Sequence, residues 1–167
     1  MIGDAPKPKD PEIIAGEKVV EEMREIAKQL PRPENIEEKE EVIPFGDHFF
    51  YIFYEKKFLS DPFIRKKYLE KAEKQYGDKW EQFLKDNDSL IVEIRKVLEN
   101  LDKYSELFRR FIILFQNPKT SELAIQAREE VKLNATYVFL WRKLNPLLEQ
   151  ASKIMTSDGM KPEDFYS

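Results

Sequence analysis

Within residues 89–115, Ile94, Val97, Leu101, Tyr104, Phe108, Phe111 and Phe115 recur at alternating steps of three and four, with Leu90 one step upstream. Such steps keep side chains on one stripe of a 3.6-residue helix, so the segment predicts a single helix of about seven turns. Leu98, Leu107 and Ile112 widen the stripe. A helix of this length draws most of its stability from whatever covers its apolar face. It is therefore the strut around which the rest of the chain is expected to pack.

The flanking sequence supplies start and stop signals. Met1 to Lys9 reads as a flexible lead-in, and Asp10-Pro11 as an N-cap with proline in the first helical position. Ile13, Val19, Val20, Met23, Ile26, Ala27 and Leu30 share one face of the helix that follows, which Pro31 and Pro33 end. Residues 31–42 form a Pro/Glu/Lys linker whose acids, Glu37, Glu38, Glu40 and Glu41, are expected in solvent. The aromatic run Phe49-Phe50-Tyr51-Ile52-Phe53-Tyr54 has high strand propensity. Asp47 could nonetheless cap a helix from His48 to Leu59, and a buried helix is the preferred reading. Ser60-Asp61-Pro62 starts another helix, through Ile64, Tyr68, Leu69 and Ala72, which Gly77 closes. Asp78 with Glu81 resembles a capping box for a short helix, Lys79 to Lys85, that buries Trp80, Phe83 and Leu84. Asn87-Asp88-Ser89 caps the strut, and Asn117-Pro118 ends it. Thr120 or Ser121 then starts an antiparallel partner helix carrying Leu123, Ala127, Val131, Ala135, Val138 and Trp141. Pro146 kinks or restarts the chain, Gly159 stops it, and Phe165 and Tyr166 are docking side chains of a short tail. The expected organisation is a lead-in at 1–9, one helical domain over 10–158 and a tail at 159–167.

Composition narrows the function classes. The 41% apolar and 36% charged residues, with only five Gly, suit an all-α protein. Dense charge without cysteine resembles proteins of thermophiles. The absence of cysteine excludes disulfides, thiolate catalysis and cysteine-based metal sites. No apolar run is long enough to span a bilayer, and the first residues lack the apolar core of a signal peptide, so a cytoplasmic location is expected. The single histidine, His48, excludes two-histidine mechanisms and helical metal pairs. No glycine-rich phosphate loop is present. No cofactor, no metal and no catalytic residue is expected: the chain reads as a non-enzyme.

The basic positions carry the functional expectation. Residues 1–88 hold 16 Lys and Arg against 21 acids, whereas residues 89–155 hold 11 against 8. Arg95 and Lys96, Arg109 and Arg110, Arg128 and Lys132, and Arg142 and Lys143 are spread along the strut and its partner. Cations placed this way could follow a phosphate backbone without reading bases. The plainer alternative is pairing with Glu99, Asp102, Glu106, Glu129 and Glu149 at helical spacing.

One family shares this layout. Ile94-Arg95-Lys96 opening a helix, then Lys132, Tyr137 and Arg142 on a later one, resemble the motifs of the small helical subunit of type III-A CRISPR effector complexes. The match covers less than half of the chain. Leu90-Ile91-Val92-Glu93 stands where the family has a Thr/Ser-rich lead, the Tyr137-to-Arg142 step is one residue longer, and the family's closing helix is missing after Tyr166. The resemblance implies an antiviral defence assembly in which Arg95, Lys132 and Arg142 face the RNA backbone of a guide–target duplex, without catalysis.

The expectation is thus an all-α bundle of about six helices around a long central helix and its hairpin partner. It would serve as a non-catalytic subunit of a larger assembly, touching RNA or DNA backbone through residues 95–143. The alternative is a protein–protein adaptor or regulator that meets no nucleic acid and uses the aromatic run at 49–54 or the seam itself as a partner or self-association surface. Arg95, Arg110, Arg128, Lys132 and Arg142 on one open face would favour the first. Dispersal or salt-bridging of these residues would favour the second.

Overall fold

The computed structural model describes residues 10–36, 41–46 and 48–167. The chain is all-α, with no strand among the described residues. Helix α1 covers Pro11–Lys28. Helix α2 starts as Pro62–Ile64, widens into a π-type turn over Arg65–Glu70 and closes as Lys71–Tyr76. Helices α3, α4, α5 and α6 cover Asp78–Asp86, Asp88–Gln116, Ser121–Glu130 and Leu133–Ser157, and single 3-10 turns occupy Phe49–Phe53 and Pro162–Phe165. The expected lead-in at 1–9, the Asp47 cap and the linker acids Glu37, Glu38 and Glu40 lie outside the described residues. The chain divides into two compact units, residues 1–40 with 102–137 and residues 41–101 with 138–167.

The first unit is built on α1, the second half of α4, and α5. Asp10 caps α1 by accepting the Glu12 N–H at 2.8 Å, and Pro11 follows at a position that needs no donor. Val20 and Met23 of α1 join Leu107, Phe111 and Leu114 of α4 and Ala124 and Ala127 of α5 in one core. The small side chains of α1 and α5 let backbones approach: a Cβ on Gly16 would lie 2.7 Å from the Thr120 methyl. Thr120 itself donates its hydroxyl to the Leu114 carbonyl at 2.8 Å, so it closes the end of α4 and does not cap α5. Asn117 bridges the same corner. Its Nδ2 donates to Glu12 at 3.0 Å and its Oδ1 accepts the Lys119 N–H at 3.0 Å.

The second unit buries the aromatic run. The expected helix from His48 to Leu59 is instead one 3-10 turn, Phe49–Phe53, after which Tyr54 is extended. The reason is packing. The turn sends Phe49, Ile52 and Phe53 inward, each at most 1% exposed. Phe49 meets Phe53 edge-on at 5.4 Å and Tyr166 at 5.5 Å, and Phe53 meets Trp80 at 6.0 Å. A regular helix would have turned part of this run to solvent. Trp80 and Phe83 of α3 are buried as expected, while Leu84 is half-buried. The capping box is not formed: Asp78 is already inside α3, and Gly77, at φ 49°, occupies the cap position with no side chain to offer. Phe165 in the closing turn is fully buried.

Two further differences concern the last helices. The expected continuous helix from Thr120 to Trp141 is interrupted at Val131-Lys132, where Lys132 takes a left-handed φ of 51° and separates α5 from α6. Pro146 does not restart the chain but sits inside α6. A proline there removes one backbone donor, and burial of Leu144, Leu148 and Ala151 on the same helix offsets that cost. The neighbouring Asn145 accepts the Phe45 N–H at 2.8 Å and donates to the Ile43 carbonyl at 3.1 Å. One side-chain amide thereby holds the stretch before the aromatic turn.

Candidate functional site

The eight basic positions do not form one face within either unit. In the second unit, Arg95 is spent on structure. Its Nε donates to the Phe53 carbonyl at 2.8 Å, and its guanidinium lies 3.7 Å from Glu55. It thus satisfies a carbonyl of the aromatic turn that no helical N–H reaches. Lys96 and Arg142 are exposed, and the exposed Lys143 sits 5.5 Å from the Phe139 ring. In the first unit, Arg110 turns towards α1, donating to Glu22 at 2.9 Å and to the Glu106 carbonyl at 3.3 Å. Arg109 is exposed. Arg128 is exposed and lies over the Phe111 ring at 5.9 Å. Lys132, also exposed, stands on the left-handed turn.

What the first unit does assemble is an aromatic ladder. Tyr137 lies tilted against Tyr104 at 5.5 Å, Tyr104 lies 6.3 Å from Phe108, Phe108 6.1 Å from Phe111, and Phe111 5.5 Å from Phe115. Phe111 is buried, but Phe108 is 43% and Phe115 49% exposed. Ile125, one turn before Arg128 on α5, is 39% exposed. Helical spacing puts Ile112 beside Phe108 and Phe115, and it is half-buried. Arg128 over Phe111 ties α5 to this strip, and α1 packs against Leu114, Leu123 and Thr120 at Gly16. Both long edges of the strip carry mixed charge, Glu106 and Arg109 on α4 and Glu122, Arg128 and Glu129 on α5. Exposed Arg109 follows Phe108 on the α4 edge, and exposed Glu122 and Glu129 lie one turn to either side of Ile125 on the α5 edge.

The same unit gathers cations that the sequence did not place together. The turn at Lys132 brings it to a pocket also lined by Arg24, Lys28 and Arg32. Arg24 forks onto Glu130, at 2.8 Å and 3.2 Å, and reaches Glu21 at 3.1 Å. The Glu130 carboxylate, with Glu21, holds that guanidinium above its ordinary value. No signal could have found this grouping, since neither glycine nor proline marks the Val131-Lys132 turn.

Among the described residues, no three His, Asp or Glu side chains are grouped to hold a metal ion. His48 is exposed, with its ring stacked on Tyr51 at 5.7 Å and Tyr68 at 5.9 Å. Among those residues too, no helix is long and apolar enough to cross a membrane. No protein-family model, curated protein or solved structure matches the chain.

Proposed function

We propose that this chain is a non-catalytic helical interaction subunit that binds protein through the bare strip of α4 and α5, and that its first partner is a second copy of itself. The observation behind this reading is the exposure of Phe108 and Phe115, at heptad positions whose upstream equivalents Ile94, Val97 and Leu101 are at most 9% exposed. Apolar residues at such spacing are what a facing helix fills. Arg109 on α4 and Glu122 and Glu129 on α5 can supply partners for one another across a self-association. A two-fold axis along the helices lays the Arg109 edge of each copy over the Glu122 and Glu129 edge of the other. Of the two surfaces weighed for an adaptor, the run at 49–54 is mostly buried, which leaves the seam. Arg95 and Arg110 being spent on Phe53, Glu55 and Glu22 supports the same choice over backbone tracking.

Sedimentation over a concentration series tests this. The 19.9 kDa chain is expected to approach twice its mass, Phe108→Asp with Phe115→Asp to remain a monomer with unchanged helical content, and Arg109→Glu to be rescued by Glu122→Lys with Glu129→Lys. A monomer at every concentration, or a dimer indifferent to these substitutions, sinks the proposal. The nucleic-acid reading, and with it the CRISPR small-subunit resemblance, makes a different prediction. The chain would bind RNA or duplex DNA with steep salt dependence and lose that binding in Arg128→Ala with Lys132→Ala.

A further inference from the structure

We infer that the pocket at the start of α6 is a binding site for a phosphate-sized oxyanion, carried by a small molecule. The pocket has a volume of about 220 Å³ and lies wholly within the first unit. Five of its lining residues are charged: Arg24, Lys28, Arg32 and Lys132 against Glu130. The single carboxylate is taken up by the Arg24 fork, and Lys28 reaches Glu25 at 3.0 Å. Among the described residues, Arg32 and Lys132 have no acid partner. The pocket thus keeps, among the described residues, a positive excess that no further acid neutralises.

Two features turn that excess into a shaped site. Helix α6 begins at Leu133, and the first amides of a helix have no acceptor within it. Lys132, which precedes it, has no side-chain acceptor with which to cap them. The positive end of a long helix therefore opens beside the cationic pocket. The second feature is Thr136. It lines the pocket, is 3% exposed, and its hydroxyl has no hydrogen-bond partner among the described residues. Cα–Cβ bonds tilt towards a helix N-terminus, so this side chain leans over the first turn. A buried hydroxyl without a partner is costly, and an oxyanion oxygen would satisfy it within the favourable field of the helix end. A phosphate supplies several strong acceptors for these donors and for the Arg32 fork. The mixed wall of Ala27, Pro31, Pro33 and Val131 has room for part of a carrier group.

The test is titration of inorganic phosphate, phenyl phosphate and chloride into the full chain at constant ionic strength, following amide shifts of residues 133–136 and the melting temperature. Saturable shifts confined to that turn are expected for both phosphates and not for chloride. Arg32→Gln and Lys132→Gly should each weaken phosphate about tenfold. Thr136→Val is the sharpest arm, since it should weaken phosphate yet raise the melting temperature of the free protein by removing the unsatisfied hydroxyl. A merely structural threonine would lower it. Absence of saturation up to roughly 50 mM phosphate, or equal shifts with chloride that ignore the three substitutions, overturns the proposal. So does a site that answers only to RNA, which would assign Arg32 and Lys132 to a nucleic-acid backbone.

Discussion

The two halves of α4 obey the same sequence rule and meet opposite fates. In the first half, Ile94, Val97, Leu98 and Leu101 are all at most 9% exposed. In the second, Phe111 and Leu107 are buried on one side of the stripe, while Phe108 and Phe115 stand almost half in solvent. The larger side chains are thus on the half left partly uncovered. Burying such a ring is worth about 2–3 kcal/mol, so leaving two of them bare forfeits stability the fold could have had. This half-exposed stripe at heptad spacing is the surface that the proposed self-association would cover.

The largest test of that contrast is to truncate each half. Ile94→Ala should cost about 3 kcal/mol in urea unfolding, from lost transfer energy and the cavity left behind. Phe108→Ala should cost less than about 1 kcal/mol at concentrations where the chain is monomeric. Equal losses would show that the second half is as well covered as the first. Next is Gly16→Ala. Alanine favours the helix by about 1 kcal/mol, but its Cβ would meet the Thr120 methyl, whose hydroxyl is tied to Leu114. A net loss of roughly 1–2 kcal/mol is expected from overpacking, read as a lower urea midpoint.

Smaller effects sharpen the account of the first unit. Lys132→Gly relieves a left-handed non-glycine residue and should raise stability by about 0.5–1 kcal/mol in the absence of ligand. The ion pair of Asp10 with Lys119, at 2.9 Å, gives the smallest signal. Lys119 and then the Glu12 N–H hold the Asp10 carboxyl below its usual value. Its folded form therefore binds its proton later than the unfolded chain does. The stabilisation is complete above the unfolded value, near 4, and fades as pH falls through the lower folded one. Asp10→Asn should lower stability slightly at neutral pH, where the charged pair is intact, and change it little in acid, so that the acid limb flattens.

Much of this could be read in advance where signals are local. Asp10-Pro11, Ser60-Asp61-Pro62 and Asn117-Pro118 mark helix ends through donors that proline lacks, and the ends fall there. The π-type turn at Arg65–Glu70, the 3-10 form of the aromatic run and the break at Lys132 were not legible, because each is decided by tertiary packing. The site was less legible still. Arg95 and Arg110 look like any exposed helical cations until Phe53 and Glu22 are in place. The pocket needs Arg24, Lys28 and Arg32 brought to Lys132 across about a hundred residues of chain, and periodicity cannot convey that.

The two bridging asparagines have a consequence for chemical lifetime. Asparagine ages when the next residue's backbone nitrogen attacks the side-chain amide, closing a succinimide that reopens as aspartate. Asn117 and Asn145 are each followed by proline, whose nitrogen carries no hydrogen and cannot close that ring. Aspartate at either position would lose the amide donor to Glu12 or to the Ile43 carbonyl. The joints that depend on an intact carboxamide are therefore shielded from the slow reaction that would otherwise wear them out.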